Sequence, residues 1–420
     1  MIQRIRGTRD ILDTTLLNYA LATIKKHVLL YNHHEIVTPI LESTELFKRS
    51  LGLETDVVSK EMFIVSSSSA TNEESICLRP EATASTVRAF IENGIQNTPW
   101  KVFTYGPMFR YERPQKGRYR QFLQFNLETI GSSSILTDVE TIIMLDRLFH
   151  EQFSLENYAL HINFLGVLEE RQAYKKVLYD FLITHSHTLC ATCLIRKDAN
   201  ILRIFDCKEA SCQSIYENAP LLEDFFGQES AAEWKMLQQY LEELAVTFVI
   251  NRKLVRGLDY YNKTVFEFVS TDLGSQTAFC GGGRYDSLAS ALGAKVDQPS
   301  FGAAIGIDRL LLLLEQVEST LSFTKVNPLY VILPFEEKQH PLALHIADAL
   351  RRASLTVHIL TEGSLKSMMK KANTLGARGA LLLGEQEQND GTITYKDMIL
   401  GTQQTVQQTK LIDMLKNNTH

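Results

Sequence analysis

No part of this chain stays apolar for long. The longest purely aliphatic run, residues 310–314, is far short of the roughly 20 residues that a membrane-spanning helix needs. The opening residues, MIQRIRGTRDILD, lack the apolar stretch of a secretory signal, so no membrane is expected as a partner and a cytoplasmic location is expected. An excess of positive charge is also missing. At a net charge of −6 the chain does not have the broad basic surface with which a protein coats nucleic acid indiscriminately, although local basic clusters remain open to it. It contains no internal repeat and no long low-complexity tract. Cysteines are few, six in 420 residues, and without a signal segment they do not read as a disulfide framework.

What is present is ordinary globular composition, 45% hydrophobic and 22% charged, in a chain too long for one core, so two or three domains are expected. Residues 16–30 have apolar positions at helical spacing. The β-branched segment 35–40 is expected to form a strand with Pro39 at an edge or interface. Residues 76–80 read as a strand leading into the helix EATASTVRAFIENG, with Glu81 at the junction and Gly94 at its end. Residues 101–131 read as strand, basic loop and strand. In the second strand a period of two places Phe122, Gln124, Asn126 and Glu128 on one face, and Leu123, Phe125, Leu127 and Thr129 on the other.

Residues 168–241 are helical in pattern and read as an insertion. Strands return at 246–250 and 264–270, with Arg256, Asp259, Tyr260 and Tyr261 between them, and a glycine run, CGGGRY, occupies 280–285. Residues 301–317 read as a small-residue strand entering a buried helix, followed by a linker at 318–328. Beyond it, apolar runs at 329–333, 355–360 and 380–383 alternate with helical patterns at 341–353 and 364–375. That alternation predicts a small α/β domain around a mostly parallel sheet.

The loop after the first strand of the 101–131 pair carries Arg113, Lys116, Arg118 and Arg120, with Arg110 just before it. Taken alone, such a charge run is a solvated hairpin tip more often than a site. Beside a strand with a polar face it suits the wall of a pocket for a polyphosphate or a nucleic-acid end, since guanidinium groups hold phosphate oxygens in a bidentate fork.

These segments carry a specific resemblance. GPMFRYERPQKGRYRQF (106–122) resembles motif 2 of the class II aminoacyl-tRNA synthetases in the form found in histidyl enzymes. LVRGLDYY (254–261) is similar to the histidine-specific signature of that family, residues 301–311 resemble motif 3, and the stretch around Pro39 resembles motif 1. The motifs occur in order over nearly the whole chain, which is far more specific than any one of them. The resemblance implies an α+β catalytic domain with an antiparallel sheet over residues 1–325, a helical insertion at about 168–241, and a C-terminal α/β anticodon-binding domain at 326–420.

Carried over residue by residue, the resemblance implies that Arg110 and Arg256 surround the α-phosphate of ATP as the catalytic pair. Arg309 lies at the far end of a bent ATP, Phe122 stacks on adenine, and Glu112 contacts the adenine edge or the tRNA terminus. Glu81, Thr83 and Gln124 are the implied partners of the substrate amino group. Glu128 and Tyr261, with Tyr260 beside them, are the implied partners of the imidazole of L-histidine, whose two ring nitrogens a carboxylate and a phenol can satisfy; a structural strand carboxylate is the plainer reading of Glu128. The implied reaction is in-line attack of the histidine carboxylate on the α-phosphate, with Mg²⁺ offsetting charge, then attack by the terminal ribose hydroxyl of tRNA(His) on the histidyl-adenylate. Arg113 and Gln115 match positions used near the extra 5′ guanosine of that tRNA, and motif 1 implies a homodimer. Three positions depart from the commonest family wording: Asp308 where glutamate is usual, Tyr111 where histidine is frequent and Ala82 where glycine is frequent.

Cys190 and Cys193 in a C-x2-C pair, with Cys207 and Cys212, have a spacing compatible with a structural four-thiolate zinc site, against the plainer reading of reduced thiols in a helical insertion. In the C-terminal domain Lys366, Lys370 and Lys371, with Arg378 just beyond, form either a phosphate-facing stripe for tRNA or a solvated helix face. The competing family reading is the regulatory subunit of ATP phosphoribosyltransferase, which shares the catalytic fold and characteristically lacks the anticodon domain. Arg256, Arg309 and the presence of a C-terminal domain separate the two.

Overall fold

A computed structural model describes residues 2–52, 55–66, 75–274, 277–321 and 328–417. The chain divides into two units, Met1–Leu321 and Ser322–His420. The boundary expected at 325/326 lies outside the described residues.

The strands of the first unit are β1 (His34–Glu35), β2 (Leu41–Ser43), β3 (Phe63–Val65), β4 (Ile76–Leu78), β5 (Trp100–Phe109), β6 (Gln121–Ile130), β7 (Ala159–Phe164), β8 (Phe248–Ile250), β9 (Asn262–Val269), β10 (Ala278–Arg284) and β11 (Ser300–Gly306). Eight of them form one sheet in the order β1-β5-β6-β11-β10-β9-β7-β8. Its interior pairings are antiparallel, as expected, while the short edge strands β1 and β8 pair parallel with β5 and β7. A small second sheet has the order β2-β4-β3. The strand expected over 35–40 is a correction: only His34–Glu35 joins the large sheet, and Leu41–Ser43 belongs to the small one, with Pro39 in the crossing between them. Proline has no N–H for a ladder, so the chain changes sheet there.

The period of two in β6 is realised. Phe125 and Leu127 are buried in the main core with Phe266, Phe268, Phe279, Phe301 and Ile305, and the opposite face of β6 is left to the site. Phe149 meets Phe268 and Phe279 edge-on, with ring centroids 5.0 and 4.8 Å apart, contacts worth about 0.5–1.5 kcal/mol each beyond their buried area. The helix Thr83–Glu92 ends where expected. Gly94, at φ +59°, reverses the chain, and its N–H and that of Ile95 return to Ile91 and Phe90.

The region 168–241 is helical, but its parts pack differently. Residues from Tyr174 to Tyr216 build a small core of their own that contains Cys193, Cys207 and Cys212. The helix Gln228–Glu243 instead sends Trp234, Leu237 and Leu241 into the main core, so the last helix of the expected insertion is part of the scaffold beneath the sheet.

The second unit has β12 (Leu329–Pro334), β13 (Thr356–Ile359), β14 (Gly379–Leu383), β15 (Thr392–Asp397) and β16 (Gln403–Gln407), in the order β13-β12-β14-β15-β16. The helices His340–Arg352 and Leu365–Thr374 follow the expected pattern. The expectation of a mostly parallel sheet is corrected. Pairings around β12 are parallel, but β14-β15 and β15-β16 are antiparallel. The polar composition of β16, QQTVQ, hides an edge strand from an apolar-run reading. Of the basic stripe, Lys366, Lys370 and Lys371 are exposed on their helix, whereas Arg378 is used structurally, its Nη1 donating to both Asp397 oxygens at 2.7 Å.

Candidate active site

The polar face of β6 opens into a cavity of about 360 Å³ in the first unit. Its walls include Glu81, Thr83, Arg110, Glu112, Phe122, Gln124, Arg256, Tyr260, Tyr261 and Arg309. Residues far apart in sequence are gathered by adjacent strands: β6 and β11 run side by side with Gln124 opposite Gly306, Asn126 opposite Ala304 and Glu128 opposite Gly302.

Small residues make the floor, and close approach is the reason. A Cβ on Gly281 would stand 2.7 Å from Arg256 Nη1, and one on Gly302 would collide with the Glu128 carboxylate. The glycine run of β10 and the small residues of β11 thus leave room for side chains arriving from opposite strands.

Glu81 caps the helix Thr83–Glu92: its Oε2 accepts from Thr83 N at 2.6 Å and its Oε1 from Ala84 N at 2.9 Å. Burial nonetheless raises its pKa, against the pull of those N–H groups and of Arg110. Thr83 Oγ1 donates to Glu128 Oε1 at 2.7 Å, and the Tyr285 hydroxyl donates to Glu128 Oε2. Glu128 therefore lies one layer behind the cavity wall. It is 1% exposed, and burial pushes it up to about 8 despite the Tyr285 and Thr83 hydrogen bonds.

Arg110 Nε donates to Pro80 O at 2.9 Å, and its guanidinium lies 5.4 Å from the Phe122 ring centroid; burial lowers its pKa. Arg256 Nη1 is paired with Glu267, and its guanidinium lies 5.5 Å from the Tyr261 ring. Burial works against that charge, but Glu267 and the two tyrosines outweigh it, so its pKa is raised. The Tyr260 and Tyr261 rings meet tilted at 47° with centroids 4.5 Å apart, and Tyr260 meets Tyr285 edge-on at 5.7 Å. Gln124 Oε1, Asn126 Oδ1 and Arg256 Nε are buried without a hydrogen-bond partner among the described residues. A buried acceptor or donor left unpaired costs about 1–3 kcal/mol, so their convergence marks a cavity built for a polar ligand.

The motif 2-like hairpin is only partly free for anions. Arg118 is paired with Glu112, and Arg120 lies over the Tyr111 ring at 3.7 Å and donates to Glu112 O and Arg6 O. Tyr111 thus serves as a platform for Arg120. Arg309 donates to Gly117 O at 3.1 Å and Ala278 O at 2.5 Å, tying the hairpin tip to the site, while Arg113, Gln115 and Lys116 are exposed at that tip.

Sequence reasoning left out Tyr285, Asn126, Glu267 and Asp308 as site residues. Tyr285 closes the CGGGRY segment and Asn126 stands on the polar face of β6, so both had a visible signal. Glu267 had a weaker one, a charge inside the apolar strand Asn262–Val269.

In the small helical core the sulfurs of Cys190, Cys193, Cys207 and Cys212 lie within 4.8 Å of one another, with Cys190 and Cys207 3.8 Å apart. The Cys193 N–H lowers the Cys190 thiol to about 7, giving thiolate character in neutral solution.

A family profile described as histidyl-tRNA synthetase matches residues 22–310 of this sequence. The chain belongs to the histidyl-tRNA synthetase family. A second profile, for an anticodon binding domain, matches residues 330–418. The histidine--tRNA ligase of Acinetobacter baylyi is 43% identical over 99% of this chain and 98% of its own length, and that of Marinomonas sp. is 42% identical over 96% of each. The crystal structure of apo Staphylococcus aureus histidyl-tRNA synthetase, 31% identical, superposes with a TM-score of 0.81 over 99% of this chain and 100% of that one. Family membership accounts for the class II sheet with a C-terminal anticodon-binding domain. Among the described residues no helix is long and apolar enough to cross a membrane.

Proposed function

We propose that this protein is a histidine--tRNA ligase that activates L-histidine with ATP and transfers it to the 3′ end of tRNA(His). The observation that carries this reading is the meeting, in one cavity, of the partly buried guanidiniums Arg110 and Arg256 with the unpartnered acceptors Gln124 Oε1 and Asn126 Oδ1. Preorganised cations of this kind stabilise charge developing at an in-line α-phosphate displacement. In this reading Phe122 stacks on adenine, Glu112 reaches its edge and Arg309 holds the far phosphates. Glu81, Thr83 and Gln124 take the amino group, and Glu128, Tyr260 and Tyr261 take the imidazole.

Glu128 lies behind Thr83, so its effect on the imidazole passes through the Tyr285–Glu128–Thr83 chain until a ligand moves them. Mg²⁺ would arrive with ATP and offset phosphate charge; Glu112 and Glu267 are among the carboxylates that line the cavity, and holding the ion would require each to give up its arginine, Arg118 or Arg256. Arg113 and Gln115 at the hairpin tip, and Lys370 and Lys371 on the anticodon-domain helix, are proposed tRNA contacts on the strength of their exposure. The match over 330–418 disfavours the regulatory-subunit alternative.

The test is ATP–pyrophosphate exchange with purified protein and a panel of amino acids. Exchange with histidine alone, followed by charging of tRNA(His), is expected; exchange with another amino acid, or none from protein that binds ATP, would sink the reading.

The thiol cluster is proposed to hold a structural zinc. Tetrahedral zinc with sulfur at about 2.3 Å requires sulfurs roughly 3.8 Å apart, which agrees with the 3.8 Å between Cys190 and Cys207. A homodimer is proposed because Val37 (88% exposed), Leu41 (54%) and Ile64 (57%) leave an apolar surface around the motif 1-like stretch and the small sheet. Native mass spectrometry reads both proposals, with two chains per particle and one zinc per chain expected. A metal-free particle rejects the first, and a monomer rejects the second.

A further inference from the structure

The segment before the first helix is attached directly to the nucleotide half of the site. Arg9 Nη2 donates to Asp308 Oδ1 at 2.6 Å, and the other oxygen of the same carboxylate, Oδ2, accepts from Leu123 N at 2.7 Å. Leu123 stands between Phe122 and Gln124 on β6, and Asp308 immediately precedes Arg309. One carboxylate therefore clamps the start of β6 to the start of the helix Ile307–Leu314, and Arg9 is the cation that neutralises it. The guanidinium of Arg9 also lies 4.9 Å from the Tyr119 ring centroid. The same segment is bound twice more to the hairpin, by Arg120 N to Gly7 O at 2.7 Å and Arg120 Nη1 to Arg6 O at 3.2 Å.

Tyr119, Phe122, Leu123, Asp308 and Arg309 line the cavity; Arg9 is not among the lining residues. The Asp308 side chain is only 6% exposed and that of Arg9 25%. Removing one partner of so enclosed a pair leaves a carboxylate that must turn toward water or take up a proton. Either change loosens the bond to Leu123 N, and with it the spacing between Phe122 and Arg309.

We infer that Arg9 is a positioning residue for ATP, acting through Asp308 to set the distance between the adenine-facing and phosphate-facing walls of the site. The inference rests on the ligase reading above for which wall faces which part of ATP. A purely structural brace would change stability and all kinetic constants together, whereas a positioning residue on this wall acts on ATP selectively.

The experiment compares wild type, Arg9→Ala, Arg9→Lys, Asp308→Asn and the Arg9→Ala/Asp308→Asn double variant. The readings are histidine-dependent exchange, calorimetric ATP binding and thermal unfolding. Arg9→Ala is expected to raise KM and Kd for ATP about 10-fold while KM for histidine changes less than about 2-fold. Arg9→Lys, which keeps the charge, is expected to stay within about 3-fold of wild type. In the double variant, losing Arg9 should add less than about 2-fold to the effect of Asp308→Asn, because the two act as one unit.

Unchanged ATP affinity in Arg9→Ala, equal changes for ATP and histidine, or multiplying effects in the double variant would overturn the inference. If Arg9→Ala fails to fold, Arg9→Gln is judged by the same readings. ATP binding is measured without histidine, so a wild type that binds ATP but gives no histidine exchange counts against the ligase reading and leaves the test of Arg9 intact.

Discussion

Replacing Arg256 with alanine is expected to lower histidine-dependent ATP–pyrophosphate exchange by on the order of 10³-fold, since removing one preorganised donor from a transition-state charge site costs about that much. The guanidinium is held by Glu267 through Nη1 and leans on Tyr261, while Nε has no partner among the described residues. One side of the group is thus fixed and the remainder is available to a ligand. Arg256→Lys is expected to recover little, because an ammonium cannot keep Glu267 and also present a fork to phosphate oxygens. Alanine strands Glu267 as well, so Arg256→Ala/Glu267→Gln separates lost catalysis from an unpaired carboxylate. Steady-state exchange with a parallel unfolding curve checks both, and a folded variant retaining more than about a tenth of wild-type exchange would remove Arg256 from the catalytic pair.

Glu128→Gln is expected to produce the second large effect, in opposite directions for activity and stability. A pocket built to pair a polar ring rejects substrates, or loses them, by factors of roughly 10² or more once a buried partner is altered, so kcat/KM for histidine should fall by at least about 100-fold. Stability should move the other way above neutral pH.

Glu128 is raised from the usual 4.5 to about 8. Between those values the native state keeps a proton that the unfolded chain releases, and stability therefore falls as pH rises through that window. Glutamine carries no such penalty. The variant should match wild type near pH 5 and exceed it by on the order of a few kcal/mol near pH 9. Glu81, Asp138 and Asp308 are also raised by burial, so the difference between the two proteins, not the wild-type curve alone, isolates Glu128. Unfolding curves at the two pH values decide it; equal differences at both would mean that Glu128 is ionised in the native state.

Much of the fold and of the site is legible in the amino-acid sequence. The polar face of β6 follows from alternation in FLQFNLET, and the ends of Thr83–Glu92 from Glu81 and Gly94. The alternation of strand and helix patterns marks out the C-terminal α/β unit, and motif order carries the family. The strand expected at 35–40 fails because β-branched content does not report a change of sheet at Pro39. β16 escapes a sequence reading because a polar edge strand has no apolar run to detect, and β15, an interior strand, because its buried Ile393 and Tyr395 alternate with polar residues instead of forming a run.

By itself the sequence determined the family and the residue types available to the site, because periodicity, turn residues and ordered motifs are local properties. Only the tertiary structure decided which pairs meet. It set Glu128 opposite Gly302 and behind Thr83, joined Glu267 to Arg256, brought four thiols together, and placed Arg9 on a carboxylate 299 residues away. Those partnerships depend on strand register and on which charges burial forces into contact, and neither is written in any single stretch of chain.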